Sequence, residues 1–335
     1  MVGKALLMND PIAISPVRGI FAPLVFIMAM LLTGQVLAFD VDGLSYSVIV
    51  ATNDVQVEGC AAIPCSSNAI VIPDTVVDSG TTYSVTSIAD DAFANPLPPS
   101  VFLTSVSIGN NVTRIGVNAF SEITTLTTVT FGNSVETIGV AAFISCPLLE
   151  GVDFPASLVT IGASAFNNSG LKSVIIPDGV DSIGLLAFTQ NQLTTLDLGT
   201  SVASIGAGAF ATNQLTNIII PESVSSIGTA AFGENTLNSV AFKGDFVNFP
   251  ENTFALNNNL TTITYCADKM NWPQTFNVGG NPPATTLVAA TPDPLVCQVP
   301  PVPPVATPVP TNPLWLLGIM AGLLSVVGIR KLRKV

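Results

Sequence analysis

Between residues 84 and 266 the apolar side chains recur in one fixed pattern. The segments Ile115-Gly116-Val117-Asn118-Ala119-Phe120, Ile138-Gly139-Val140-Ala141-Ala142-Phe143 and Ile161-Gly162-Ala163-Ser164-Ala165-Phe166 superpose directly, as do Ile183-Gly184 to Phe188, Ile205-Gly206 to Phe210 and Ile227-Gly228 to Phe232. Ile88 to Phe93 and Phe249 to Phe254 are degenerate first and last copies. The phenylalanines stand at 93, 120, 143, 166, 188, 210, 232 and 254, so the steps are 27, 23, 23, 22, 22, 22 and 22. A fixed step of this length marks a repeat architecture. Each copy continues as Leu-x-x-Val/Ile-x-Ile/Phe-Pro/Gly, for example Leu171 to Pro177 and Leu215 to Pro221. β-Branched residues alternating in and out predict a short strand that Pro or Gly ends. The Val-x-x-Ile-Gly part predicts a second short extended piece with glycine at a tight turn, and Ala-Phe is expected in a helical turn. A unit of 22 residues cannot bury its own apolar face, so its stability comes from stacking on its neighbours. With strands about 4.8 Å apart, eight coils give a core roughly 40 Å long. The expected fold is an α/β repeat solenoid, dominated by β structure, with about eight repeats of 22–23 residues.

Three positions after each phenylalanine lies a recurring slot, filled by Ile123, Cys146, Ser169, Asn191, Asn213, Asn235 and Asn257. A short polar side chain there is expected to bond backbone groups exposed at the turn. Cys146 therefore reads as a structural thiol; the chain contains no histidine that would activate it as a nucleophile. The pattern Ser-Ile-Gly-x-x-Ala-Phe-x-x-Asn/Cys-x-Leu-x-x-Ile-x-Ile-Pro resembles the bacterial surface leucine-rich repeats of BspA type, over residues 84–266. The lead-in Phe39-Asp40-Val41-Asp42-Gly43, Ile70-Val71-Ile72-Pro73 and Tyr83 to Ile88 is similar to that family's N-terminal cap, which assigns 39–83 to a cap. The resemblance implies a right-handed coil with short parallel strands, displayed at the cell surface and used for adhesion or protein contacts. It implies no single ligand. Residues 267–297 are expected to form a C-terminal cap, with Trp272 in its core, because a solenoid must hide its apolar end.

Both ends of the chain read as addresses. Lys4 and Arg18 precede an apolar stretch from Ile20 to Leu32, and Val36-Leu37-Ala38 supplies a cleavage site before Phe39, so 1–38 reads as a secretory signal. At the other end Leu314 to Ile329 is uncharged and is followed by Arg330, Lys331, Arg333 and Lys334. As a helix these 16 residues span about 24 Å, less than the roughly 30 Å hydrocarbon core. Snorkelling of the basic residues and Trp315 at the other interface make up the difference. The basic tail is then cytoplasmic and everything before Leu314 lies outside. Residues 298–313 are proline-rich and uncharged, an extended spacer. Pro310-Thr311-Asn312-Pro313-Leu314-Trp315, with the apolar helix and basic cluster of 314–335, resembles PEP-CTERM-like C-terminal sorting signals of the Ile-Pro-Thr-Leu type. Val309, Asn312 and Leu316 depart from that pattern. The resemblance implies Pro310, Thr311, Trp315, Arg330 and Lys331 as sorting residues and an exosortase-type membrane protease as a partner. The alternative is a plain single-pass membrane anchor.

Charge agrees with export. Between Phe39 and Pro313 there are 21 acids and four bases, 4 − 21 = −17. That balance excludes nucleic acid as a partner. Hydrophobic residues make up 48% of the chain and charged ones 10%, which excludes a disordered chain. Five cysteines in an exported protein permit disulfides, with Cys60–Cys65 stapling one turn and Cys266–Cys297 closing a loop. A four-ligand metal site needs a second close pair or histidines, so no metal and no cofactor is expected.

The outward strand positions run Thr130, Asp153, Ile175, Asp197, Ile219, Ala241 and Thr264. Asp153 and Asp197, two coils apart at about 9.6 Å, have a spacing that suits an inverting glycosidase. The column offers no aromatic platform for a sugar, and a solvated acidic face is the simpler reading. No EF-hand loop appears. The residues left for function are Asp153, Ile175, Thr195, Asp197, Asn217 and Ile219 on the exposed strand face. They read as a non-catalytic contact surface for a protein or glycan ligand at the cell surface. The alternatives are a structural component of the envelope or extracellular matrix and, behind it, a carbohydrate-active enzyme.

Overall fold

The computed structural model describes residues 37–266, apart from 50–51, 62–67, 95–101, 246–248 and 251, together with the strands Thr275–Asn277 and Leu287–Pro292. The signal segment up to residue 36, Cys65, Trp272, Cys297, the proline-rich spacer and the whole of 314–335 lie outside the described residues. Among the described residues no helix is long and apolar enough to cross a membrane.

The repeat folds as a right-handed β-solenoid of about seven turns. Most coils contribute one very short strand to a continuous sheet and one longer strand to an interrupted sheet. The continuous sheet begins with the antiparallel strands Ala38–Val41, Leu44–Ile49 and Asp54–Cys60. It passes in parallel through Thr81–Ile88 and Arg114–Ile115. It then runs through Thr137–Ile138, Thr160–Ile161, Ser182–Ile183, Ser204–Ile205 and Ser226–Ile227. In every two-residue strand isoleucine points in and is buried. The next coil carries Phe249-Pro250 where the others carry Ile-Gly. Gly228 N–H donates 2.8 Å to Ile205 O, and a proline there has no N–H to give. Among the described residues the sheet ends at Ser226–Ile227.

The interrupted sheet has three pieces. Ala69–Ile72, Ser105–Ile108 and Thr128–Thr130 form the first, and Ser173–Ile175 with Thr195–Asp197 the second. Asn217–Ile220, Ser239–Phe242, Thr262–Tyr265 and Leu287–Pro292 run in parallel in the third, closed by antiparallel Thr275–Asn277. These pairings keep repeat positions in register, so one column of side chains faces inward and the next outward.

Two features depart from the sequence reading. No helix is present among the described residues, and the Ala-Phe segment is a turn. Asn118, Ala141, Ser164, Leu186 and Gly208, two residues before the phenylalanine, have φ between 53° and 62°. Glu122, Ser145, Asn168, Gln190 and Thr212, two residues after it, have φ between 54° and 59°. A left-handed residue on each side turns the intervening N–H groups out of any helical path. Ala141, Phe143 and Ser145 N–H each donate 2.8 Å to the next coil, at Ala163, Ala165 and Asn167 O. Left-handed backbone costs about 1–2 kcal/mol per L-residue, and these inter-coil bonds offset it.

The repeated glycine has a different role from the tight turn expected of it. An added Cβ at Gly139 would lie 2.6 Å from the Gly116 carbonyl carbon, and one at Gly162 2.6 Å from that of Gly139. Neither glycine has positive φ. Close approach of successive coils demands the missing side chain.

Inside, the eight phenylalanines stack as one column, with centroids 5.1–5.8 Å apart and planes within 12° of parallel. The slot beside them is filled as its residue types predict. Asn213 Nδ2 donates 2.9 Å to Phe188 O, and its Oδ1 accepts from Leu193 N–H at 3.0 Å. Asn191, Asn235 and Asn257 repeat both bonds. Ser169 Oγ and Cys146 Sγ make only the donor half, to Phe143 O at 2.6 Å and Phe120 O at 3.3 Å. Each slot residue from Cys146 onward thus bridges two coils. Replacing Asn213 with alanine strands a buried N–H and relieves a buried carbonyl of a donor, at a cost of about 2–4 kcal/mol. Urea unfolding of Asn213→Ala should show that loss.

Burial pushes the Cys146 thiol from 9.0 up to about 12, against a smaller opposing effect of the Ile123 backbone hydrogen bond. A raised pKa means that the folded chain keeps a proton that the unfolded chain loses. The stability this contributes is complete below pH 9.0 and is lost as pH climbs toward about 12. Tyr46, raised from 10.0 to about 12 by burial and the nearby Asp42 charge, adds to the decline only above pH 10.0. Between pH 9.0 and 10.0 the unfolding midpoint of the native chain should therefore fall more steeply than that of Cys146→Ser, whose hydroxyl fits the slot as Ser169 does.

Candidate ligand-binding face

The outward side of the interrupted sheet is set by strand alternation. Ser173, Thr195 and Asn217 are exposed, as are Ile175, Asp197 and Ile219, while Val174 and Ile218 between them are buried. Register places Ile175 beside Asp197 and Thr195 beside Ser173. Ile219 lies beside Ala241, and Asn217 beside Ser239. Ile175, Thr195, Asp197, Asn217 and Ile219 therefore lie on the outward side, and the hydroxyl column there extends through Ser105, Thr128, Ser239 and Thr262.

Some of these polar groups are committed within the fold. Asn217 Oδ1 accepts from Ser239 Oγ at 2.7 Å, and Asp197 Oδ1 accepts from Gly199 N–H at 3.0 Å. The aliphatic groups have no such use. Ile175 is 69% exposed and Ile219 55% exposed, on either side of Asp197.

Asp153 sits differently from its column mates. Residues 151–155 form no strand, and the ladder lapses between Thr128–Thr130 and Ser173–Ile175. Lys172 N–H to Glu150 O at 3.0 Å is the backbone tie just before the break. Above it Lys172 Nζ pairs with Glu150 at 2.6 Å, both side chains more than half exposed. Phe154 turns inward and meets Phe166 and Phe188 edge-on at 5.5 and 6.4 Å.

The break leaves a depression of about 440 Å³, lined by Val152, Asp153, Phe154, Ala156, Ser173, Ile175, Pro177, Asp178 and Gly179. Its volume lies in the range of ligand sites. Asp178 is held from the next coil, its Oδ1 accepting from both N–H and Oγ1 of Thr200 at 2.8 Å.

Sequence reasoning placed Asp153 and Ile175 on this face but missed the depression and Asp178. Two small residues carry the signal. Gly151 stands where other coils have Ser, Thr or Asn, and glycine weakens a strand. Ala156 stands where Asn110, Asn133 and Asp178 stand elsewhere. At Asn110 and Asp178 the side chain accepts a backbone N–H from the next coil, Asn110 from Asn133 at 3.1 Å and Asp178 from Thr200 at 2.8 Å. Alanine has no acceptor, so coil-to-coil bonding thins where the strand also fails.

The arrangement offers shape, aliphatic surface and carboxylates. No group of three or more potential metal ligands occurs among the described residues. Cys60 and Cys266 are disulfide-bonded, and the cysteines expected to partner them lie outside the described residues.

Comparison with known proteins adds the following. Residues 86–214 and 181–272 match the model of the BspA type leucine rich repeat region, in six copies. Among curated proteins none matches. A leucine rich cell surface protein of Faecalibacterium prausnitzii is 24% identical, with 77% of each chain covered and a TM-score of 0.57. A leucine-rich repeat protein of Bacteroides ovatus is 21% identical over 68% of this chain and 70% of its own, with a TM-score of 0.43. The leucine rich repeat protein of Treponema pallidum is 23% identical over 62% of this chain and 86% of its own, with a TM-score of 0.40.

Proposed function

Because the chain belongs to the BspA-type leucine-rich repeat family, we propose that it is an exported, surface-displayed and non-catalytic binding protein whose interrupted-sheet face engages a protein or glycan in adhesion. The observation that carries this reading is the pair Ile175 and Ile219, two large aliphatic side chains held in solvent on the interrupted-sheet face, Ile175 lining the depression. Exposed apolar groups rimmed by polar ones mark contact surfaces. The likeness in fold to a cell-surface protein supports the location, as does the excess of acids over bases between the two ends. In this reading residues 1–38 direct export, Cys60–Cys65 and Cys266–Cys297 close the two ends of the folded part, and 298–313 hold it away from the membrane. Residues 314–335 anchor the chain until an exosortase-type protease recognises Pro310, Thr311 and Trp315 above the Arg330-Lys331 cluster.

Two measurements test the proposal. The full-length protein should bind members of a host-protein and glycan array. Ile175→Arg with Ile219→Arg should weaken that binding about tenfold or more, equivalent to about 1.4 kcal/mol. Val140→Arg with Leu185→Arg, at comparably exposed positions near the continuous sheet, should leave it unchanged. Absence of any ligand, or equal loss from both pairs, contradicts the reading. Separately, mass spectrometry of the cell-surface form should find its C-terminus before residue 335; retention of Val335 contradicts processing.

A further inference from the structure

We infer that the depression beside Asp153 receives a lysine or arginine side chain from a protein partner, an inference that rests on the interrupted-sheet face being the binding surface. The wall is aliphatic, made by Val152, Ile175 and Pro177, and Asp153 and Asp178 bring carboxylates to the same hollow. Lysine and arginine bury a methylene stem on apolar surface while the cationic head stays at the polar rim. An aliphatic wall with carboxylates beside it is the complement of such a side chain.

The local ions are arranged to leave this position open. Lys172, the nearest cation in sequence, is engaged by Glu150. Asp153 forms no hydrogen bond or ion pair with any described residue, whereas Asp178 is held in place by Thr200. One carboxylate is thus fixed and the other free to turn toward an incoming charge.

The surrounding field acts in the same direction. With 21 acids against four bases between Phe39 and Pro313, this span attracts basic partners and repels acidic ones. A sugar is the poorer fit. The aromatic ring in the lining, Phe154, is partly buried and packs edge-on against Phe166 and Phe188, which limits the face it can give to a sugar.

Surface plasmon resonance on the full-length protein in detergent micelles tests the inference. The probes are three synthetic peptides of identical aliphatic content with lysine, glutamine or glutamate at the central positions, and a neutral β-glucan oligosaccharide. The lysine peptide should bind about tenfold tighter than the glutamine peptide and lose that advantage at high salt. Asp153→Asn and Asp178→Asn should each weaken it about threefold to tenfold. The asparagine oxygen at 178 can still accept from Thr200. Asp181→Asn, the same charge change next to the continuous sheet, should leave binding as it was. Equal binding of lysine and glutamine peptides, no binding of the lysine peptide, or equal loss from Asp181→Asn overturns the inference. If the glucan binds and Ile175→Arg abolishes it, the face binds ligand but the basic side chain is the wrong occupant. If no array member or probe binds, the underlying reading fails as well.

Discussion

One coil of this chain has no interior. Its phenylalanine, isoleucine and leucine are dry only because another coil lies on each side, and the whole structure follows from meeting that requirement repeatedly. The phenylalanine column meets it with stacked rings 5.1–5.8 Å apart. Coils can come that close because glycine leaves space where any Cβ would strike backbone. The turn that returns the chain aims its N–H groups at the next coil, at the cost of left-handed residues. The buried slot joins one coil's phenylalanine carbonyl to the following coil's asparagine. Apolar packing supplies most of the driving force, and the polar bridges specify register.

Once the interior positions are committed, only the outward ones are free to vary. The continuous sheet presents serine and threonine from two-residue strands at most coils. The interrupted sheet carries the variation, with Asp197 between Ile175 and Ile219 and a coil whose strand is lost at 151–155. The proposed binding role would need only such a surface. Recognition by the proposed surface would rest on shape, aliphatic area and charge.

The repeat and its inner face were legible because stacking forces the same residue type to recur at the same position. Asn191, Asn213, Asn235 and Asn257 announced their slot, and Cys146 and Ser169 could be assigned to it by position alone. The outward column was read from strand alternation, including Ile175 and Asp197. What escaped was non-local or conformational. Asparagine, alanine, serine and leucine all occupy the same left-handed position, so no residue type marks it, and a helical turn was expected there instead. The reason for glycine at 139 and 162 lies in the preceding coil, not in the local chain. The depression depends on two absences, a side chain at Gly151 and an acceptor at Ala156, which register only against the other coils.

Native-state hydrogen exchange with a wedge at one coil junction tests most directly whether neighbouring coils hold each other. An added Cβ at Gly206 would lie 2.6 Å from the Gly184 carbonyl carbon, so Gly206→Ala forces that junction apart. The amide of Leu193 is bonded to Asn213 across the same junction, and those of Leu171 and Leu215 are bonded across the junctions before and after it. If each coil is dry only through its neighbours, all three amides should lose protection together. Faster exchange at Leu193 alone, with Leu171 and Leu215 unchanged, would mean that single coils are self-sufficient and would contradict the account.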